Sequence, residues 1–191
     1  MGQPTGSRDA LLVIDPQNDF CPGGALAVPG GDRDFDRDNR LLPHFQHVFA
    51  TQDWHPANHS SFESQGGPWP AHCVQETPGA AFHPALHASG IGLVVRKGTE
   101  VAVDGYSGFA GTDLAERLKA AGVTRIVACG LATDYCVRAT VLEALEHGFG
   151  VRVVADAIAA VDVHPGDGQR ALGEMRAAGA ELVTTAEVLA S

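Results

Sequence analysis

The sequence lacks any apolar run close to the roughly 20 residues that a membrane-spanning helix needs. Its opening residues, MGQPTGSRDA, contain no apolar core of the kind that a secretory signal peptide carries. Cysteine is also sparse, with 4 in 191 residues, and in a reducing compartment these are expected to be free thiols. Together these absences predict a cytoplasmic protein that is not built on disulfides.

Positive charge is scarce as well. The chain has 13 Lys and Arg against 23 Asp and Glu, which gives a net charge of -10. A nucleic-acid binder normally carries a basic face, and an anionic membrane surface repels an acidic protein. We therefore expect neither nucleic acid nor membrane among its partners, whereas assembly into a homo-oligomer is compatible with this composition.

The length fits one domain with one sizeable core. We expect that domain to cover residues 10–191, preceded by a flexible N-terminus of residues 1–9. Short apolar runs rich in β-branched residues recur along the chain and lack polar alternation, which is typical of strands buried on both faces of a parallel sheet. These runs are residues 10–14, 47–51, 92–95, 125–129, 151–155 and 181–184.

Helical patterns lie between several of the runs. They cover residues 113–121, 136–147 and 168–178, and glycine follows each of them, at Gly122, Gly148 and Gly179. Alternating strands and helices predict an α/β fold, doubly wound, with a six-stranded, mainly parallel sheet and helices on both faces. Residues 56–90 are instead rich in Pro, Gly, Ser and His, and a loop of that length is often functional.

Reactive side chains follow four of the predicted strands. Asp15 follows the first, Asp53 and His55 the second, Lys97 the third, and Cys136 ends the loop after the fourth. In open parallel sheets, ligands bind beyond the carboxyl ends of the strands. The sequence therefore predicts one site that gathers these groups.

Cys136 lies at a predicted helix start, where the helix dipole and free N–H groups favour a thiolate and could hold an oxyanion. Taken alone, a buried and inert cysteine would be the better interpretation. Because Asp15 and Lys97 are expected at the same edge of the sheet, a reactive cysteine becomes the better interpretation. Asp15 follows an apolar strand, so desolvation should raise its pKa and suit it to proton transfer, and Lys97 could pair with it and hold it ionised. Taken singly, Asp15 also fits an aspartate in a turn, and Lys97 also fits a solvated surface lysine.

A second group of residues has the types that bind a metal. Asp53 and His55 are two residues apart at a strand end, and His72 follows in the long loop. One carboxylate and two histidines would leave open positions for water or a ligand. Zn²⁺ is the first expectation for the ion, with Fe or Mn as alternatives. His83 and His87 are reserve ligands for which an ordinary structural role is favoured.

Three aromatic residues, Phe20, Trp69 and Tyr106, lie in loops near these groups. Such side chains can sandwich a flat aromatic ligand. For any one of them alone, ordinary packing is the better interpretation, so we take them as substrate-binding candidates only as a set.

These residues lie in stretches that resemble the nicotinamidases, or pyrazinamidases, of the isochorismatase-like hydrolase superfamily, and the resemblance spans nearly all of residues 10–191. The motifs DWHPxxH, WPxHC and YSGF are more specific than the Asp, Lys and Cys trio, which the wider superfamily shares. The matching stretches are LLVIDPQNDFCPGGALAV, TQDWHPANHSSF, GGPWPAHCVQETPGAAFHPAL, VVRKGTE, DGYSGF and CGLATDYCVRATVLEALEHGF.

The resemblance implies the isochorismatase-like hydrolase fold and a catalytic triad of Asp15, Lys97 and Cys136. It also implies a cis peptide bond between Leu131 and Ala132, which turns the amides of Ala132 and Cys136 toward an oxyanion.

For the metal, the resemblance implies a divalent ion bound by Asp53, His55 and His72, with waters completing its shell. Some relatives add a fourth protein ligand from the loop after the DWHP segment. Here the nearby options are His59, Glu63 and Ser61, with water as an equal alternative.

The implied activity is that of a metal-containing cysteine amidohydrolase. It would convert nicotinamide, and pyrazinamide, to the acid and ammonia through a thioester, a step of NAD salvage. The alternative is a metal-free relative that acts on an N-carbamoyl or ureido substrate with the same triad. Cys136 speaks against an isochorismatase, and the complete set of triad and metal residues speaks against an inactive carrier protein.

Overall fold

The computed structural model describes residues 8–33 and 35–191. Residues 1–7 of the predicted flexible N-terminus lie outside this part, and the first strand begins at Asp9. Six strands form one sheet in the order β3-β2-β1-β4-β5-β6, with every neighbouring pair parallel. The strands are β1 (Asp9–Ile14), β2 (His47–Asp53), β3 (Leu93–Lys97), β4 (Arg125–Leu131), β5 (Gly150–Ala159) and β6 (Glu181–Val183).

The central strand β1 shows why the apolar runs become strands. Successive side chains of a strand point to opposite faces of its sheet. Leu11 and Val13 accordingly pack in the apolar cluster on one face, while Ala10, Leu12 and Ile14 pack in the cluster on the other. All five are fully buried, so only an uninterrupted apolar run fits this position.

Helices cover both faces of the sheet, which confirms the predicted doubly wound fold. The helices are α1 (Phe35–Leu41), α2 (Leu114–Ala120), α3 (Arg138–Glu146), α4 (Asp167–Ala177) and α5 (Thr185–Leu189). α1 and α5 contribute Phe35, Leu41 and Val188 to one face. α2, α3 and α4 contribute Leu114, Val141 and Met175 to the other.

The segment before α3 differs from the predicted helix over residues 136–147. A π-helical turn, Thr133–Val137, follows β4, and the α-helix begins only at Arg138. Cys136 therefore lies inside this turn, which we call the Cys136 turn, rather than at the first residue of the α-helix.

The predicted long loop is confirmed as irregular chain with short 3₁₀ turns. It is held to the end of β2 by backbone hydrogen bonds from the N–H of His55 to the carbonyl of Cys73 and from the N–H of Gln75 to the carbonyl of His55, at 3.0 and 2.9 Å. These bonds bring residue 72 beside the end of β2. Within the described residues, no helix is long and apolar enough to span a membrane.

Candidate active site and metal centre

The predicted catalytic residues meet at the carboxyl ends of the central strands. Asp15 directly follows β1, while Asp53 and Lys97 are the last residues of β2 and β3 and are partners in the sheet register. Cys136 arrives from the turn after β4. The strand order reverses between β1 and β4, which is where doubly wound sheets bind their ligands.

Lys97 is the centre of this arrangement. Its Nζ lies 2.8 Å from Asp15 Oδ2 and 3.4 Å from Cys136 Sγ, and it also binds Asp53 Oδ1 and the Gly105 carbonyl. Burial lowers the pKa of Lys97, but the charges of Asp15 and Asp53 outweigh burial and raise this pKa well above its ordinary value. Lys97 is therefore a buried ammonium that joins the thiol site to the predicted metal site.

Asp15 is fully buried and tightly held. Its Oδ1 accepts a hydrogen bond from the Thr51 hydroxyl at 2.7 Å, and its own N–H donates to Thr51 Oγ1 at 3.2 Å. Burial raises the pKa of Asp15 to about 6, against the opposing charge of Lys97. A carboxyl group with a pKa near the working pH can both take and return a proton.

Cys136 is 6% exposed, and burial raises the pKa of its thiol well above the ordinary value although the Lys97 charge lowers it. This differs from the expectation that the helix start favours a thiolate. The resting group is a thiol, and a base must take its proton before it can react. An Asp15 carboxylate oxygen lies within 4.8 Å of the sulfur.

The backbone before Cys136 has the form that the resemblance implied, because the Leu131–Ala132 peptide bond is cis. Gly130, which precedes it, has φ of 109°, and a Cβ there would lie 2.2 Å from the Ile14 carbonyl oxygen. Only glycine fits this close approach of β4 to the end of β1. That approach places the Cys136 turn next to Asp15.

The predicted metal residues are brought together. The ligand atoms of Asp53, His55 and His72 lie within 4.8 Å of one another, and all three residues are buried. Nδ1 of His55 lies 2.9 Å from the Gly98 carbonyl, and Nδ1 of His72 lies 2.8 Å from the Pro70 carbonyl. Because a carbonyl only accepts, each Nδ1 carries a proton, so Nε2 is the nitrogen of each ring that can bind a metal, as in metal-binding histidines.

The charge states of Asp53 and His72 also suit a divalent cation. Burial raises the pKa of Asp53, but the Lys97 charge and the His55 hydrogen bond outweigh this and hold it well below its ordinary value. Burial lowers the pKa of His72, which keeps that imidazole neutral. An anionic carboxylate beside a neutral imidazole fits a divalent metal.

The candidates for a fourth ligand do not join this group. Nε2 of His59 lies 3.0 Å from the Val103 carbonyl and its Nδ1 lies 2.7 Å from the Ser61 hydroxyl, so both ring nitrogens have partners. The Glu63 side chain is exposed. Of the reserve ligands, His83 stacks on Phe35 at 5.0 Å between ring centroids. This geometry favours water in the remaining positions.

A cavity of about 250 Å³ opens beside the thiol and the metal ligands. The predicted aromatic residues Phe20, Trp69 and Tyr106 all line it. Trp69 Nε1 donates to the Tyr106 hydroxyl at 2.9 Å, and the Tyr135 ring meets Trp69 edge-on at 5.0 Å. The cavity has room for a single aromatic ring with a small substituent, between aromatic walls.

Sequence reasoning did not single out Tyr135, although its position directly before Cys136 was a usable sign. It also missed Gln17, which is fully buried. The Gln17 side-chain oxygen accepts the Asp53 N–H at 2.7 Å, and its amide nitrogen donates to the carbonyls of Asp53 and Ala80 at 2.8 and 2.9 Å. The side chain thus pairs with both backbone groups of Asp53 and fixes that residue in place.

A doubly wound sheet with a buried thiol, carboxylate and ammonium at its switch point defines a class, the isochorismatase-like cysteine hydrolases. The model of one family, the Isochorismatase domain, matches residues 9–187. The chain belongs to this family.

Among curated proteins, the chain is 45% identical over 203 residues to the nicotinamidase of Escherichia coli, covering 93% of this chain and 95% of that protein. Among solved structures, it is 48% identical to a pyrazinamidase of Pyrococcus horikoshii in complex with zinc, with a TM-score of 0.86 over 93% of this chain and 99% of that one. It is also 38% identical to the protein PnC1 of L. infantum in complex with nicotinate, with a TM-score of 0.91 over 97% and 98% of the two chains.

Proposed function

We propose that this chain is a nicotinamidase that hydrolyses nicotinamide, and also pyrazinamide, to the corresponding acid and ammonia. The observation that carries the proposal is a single small cavity. It is lined by Cys136, the candidate metal ligands and aromatic side chains, and an oxygen of Asp15, the proposed base, lies within 4.8 Å of the thiol sulfur. The similar proteins named above act on such amides or bind the acid product, which supports this substrate class.

In the first half of the reaction, Asp15 takes the proton of the Cys136 thiol, and Lys97 stabilises the charges on both groups. The sulfur then attacks the carboxamide carbon and forms a C–S bond. The backbone N–H groups of Ala132 and Cys136 hold the resulting oxyanion. Asp15 gives its proton to the amide nitrogen, the C–N bond breaks, and ammonia leaves a thioester on Cys136.

In the second half, Asp15 takes a proton from a water molecule that attacks the thioester carbon. The C–S bond breaks, the acid is released, and the proton returns to the sulfur. The same carboxyl group therefore serves as base and acid in turn, which its pKa of about 6 allows.

Asp53, His55 and His72 would hold the divalent metal, for which we propose Zn²⁺. A metal held there would supply a Lewis acid for a ring nitrogen of the substrate, which is the template role of a metal ion. Phe20, Trp69 and other aromatic side chains line the walls for the ring.

An ammonia-release assay tests the proposal. The purified chain is offered nicotinamide, pyrazinamide and a set of N-carbamoyl and ureido compounds, with and without a chelator. We expect turnover of the two aromatic amides and its loss on chelation. Turnover of only the carbamoyl compounds, by protein without bound metal, would instead support the metal-free alternative. A role in NAD salvage and a cytoplasmic location remain predictions that follow from the proposed reaction and the sequence.

A further inference from the structure

The carboxylate of Asp134 binds two consecutive backbone N–H groups in the loop that follows β5. Its Oδ1 accepts the N–H of Val161 at 2.9 Å, and its Oδ2 accepts the N–H of Asp162 at 2.8 Å. Asp134 belongs to the Cys136 turn. One side chain therefore connects the turn that carries the thiol to a loop from the neighbouring strand.

The same loop is held from its other side by α4. Asp162 adopts a left-handed backbone conformation with φ of 53°, and its Oδ1 accepts the N–H of Gly168 at 2.7 Å. A Cβ on Gly168 would lie 2.6 Å from the Cβ of Ala160, so the loop is pressed directly against the start of the helix. Val161 is thus held between α4 and the Cys136 turn.

Val161 faces the substrate cavity, whose lining it shares with Ala132 and Cys136. Ala132 is the N-cap residue directly before the Cys136 turn. Hydrogen bonds from backbone N–H groups to a carboxylate are shorter and stronger than neutral ones, so Asp134 is a stiff connection. Asp134 is therefore the direct side-chain link between the Val161 wall and the turn that carries the thiol.

We propose that Asp134 is a positioning residue that sets the width of the ring-binding cavity by fixing Val161 against the Cys136 turn. The consequence for specificity rests on the proposed function. With the wall fixed, the cavity accepts the unsubstituted ring and excludes rings that carry an added group on the Val161 side. Asp134 itself takes no part in proton transfer or bond formation.

The test uses Asp134→Asn, which keeps the size of the side chain but replaces one acceptor oxygen by an N–H₂ group. That group would face a backbone donor and push the loop away. The value of kcat/KM is measured for nicotinamide and for each of its ring-methylated forms. We expect the ratio of methylated to unsubstituted substrate to rise at least about tenfold for one ring position, with KM for nicotinamide rising more than kcat falls.

Asp167→Asn is the matched control. Asp167 accepts the N–H of His164 at 2.8 Å in the same connection, whereas the N–H of Val161 binds Asp134. Its substitution should leave the ratios within twofold of wild type. Val161→Ala, which shortens the side chain of the wall and so widens the cavity while Asp134 stays in place, should shift the ratios in the same direction as Asp134→Asn.

Hydrogen exchange at the amides of Val161 and Asp162 gives a readout that needs no substrate. We expect it to be faster in Asp134→Asn and unchanged in Asp167→Asn. If wild type hydrolyses nicotinamide but the ratios stay unchanged in Asp134→Asn, the inference is wrong, whatever Val161→Ala does. If wild type releases no ammonia from nicotinamide, the proposed function fails. The role of Asp134 is tested separately by hydrogen exchange, and exchange at these two amides that is the same in Asp134→Asn as in wild type would overturn it.

Discussion

At the scale of single residues, Lys97 links two sites that sequence reasoning treated as separate. Its ammonium contacts Asp15, Asp53 and Cys136, and it is only 1% exposed. A buried ammonium persists only with charged partners, and two carboxylates supply them here. The same ion pairs keep Asp53 ionised for a metal and hold Asp15 next to the thiol.

The pKa of Asp15 sets an expected pH dependence. Because burial raises this pKa to about 6, the carboxyl group is protonated below that pH and cannot take the proton of Cys136. We expect kcat/KM to be constant just above pH 7 and to fall about tenfold per pH unit well below pH 6. A pH profile of ammonia release measures this. Activity that stays level down to pH 4.5 would exclude Asp15 as the base.

Replacing the nucleophile should remove turnover and leave the metal site intact. We expect Cys136→Ala to lower kcat by at least about a thousandfold, because no other thiol is aimed into the cavity among the described residues. Metal content, measured by elemental analysis, should equal that of wild type. Cys129→Ala is the control, since this buried thiol lies in β4 within the apolar cluster and should leave most of the activity. Ammonia release at the wild-type rate from Cys136→Ala would reject the assignment.

Removing a proposed metal ligand should reduce the metal content, which replacing Cys136 leaves unchanged. His55→Ala leaves Asp53 and His72 as the remaining ligands, so we expect loss of bound metal and a KM for nicotinamide so much higher that turnover is lost at the concentrations that saturate wild type. His83→Ala, which removes a histidine that stacks on Phe35, should retain full metal content. An unchanged metal content in His55→Ala would show that the ion binds elsewhere.

At the scale of elements, the strands could be predicted because each is a short apolar run buried on both faces, as β1 shows. Helix α1 was not predicted, since its sequence FDRDNRL has only Phe35 and Leu41 as apolar residues. Helix α5 was also missed, although Thr184 and Glu187 form a capping box that is visible in the sequence. Short or polar helices depend on contacts with the sheet, and periodicity alone does not reveal them.

The candidate site likewise contains residues that could be predicted from the sequence and residues that could not. Residues that end a strand, such as Asp15 and Lys97, could be predicted because parallel strands bring their carboxyl ends together. Gln17 and Asp134 could not, because their roles come from hydrogen bonds to backbone groups 36 and 27 residues away in the chain. The raised pKa of Cys136 was likewise missed, since it depends on how completely the folded chain buries the sulfur.

The junction of β1 and β4 makes a prediction about stability. Gly130→Ala would place a Cβ 2.2 Å from the Ile14 carbonyl oxygen at a φ of 109°, so the strands must separate. We expect the free energy of unfolding to fall by at least about 2 kcal/mol, measured by urea denaturation. Gly148→Ala is the control, because it has φ of 87° but no atom within 4 Å of the added Cβ. Its cost should be about 1 kcal/mol, from the backbone conformation alone. Equal losses in the two variants would contradict the close approach.

At the scale of the whole molecule, the strand order gathers groups from the ends of β1, β2 and β3 and from the turn after β4. The chain runs from β1 outward to β3 and then crosses back to β4, which leaves a crevice at the reversal. The long loop of residues 56–90 covers this crevice and supplies Trp69 and His72. One fold thus provides the thiol, the proposed base, the proposed metal ligands and the aromatic walls.

The central claim is that Cys136 and the Asp53, His55 and His72 site act together on an aromatic amide. The most direct measurement is ammonia release from nicotinamide by wild type and Cys136→Ala, each before chelation, after chelation, and after Zn²⁺ is restored. We predict turnover only by wild type with metal, lost on chelation and recovered with Zn²⁺. Turnover by chelated wild type at its full rate, or by Cys136→Ala with metal bound, would contradict the account.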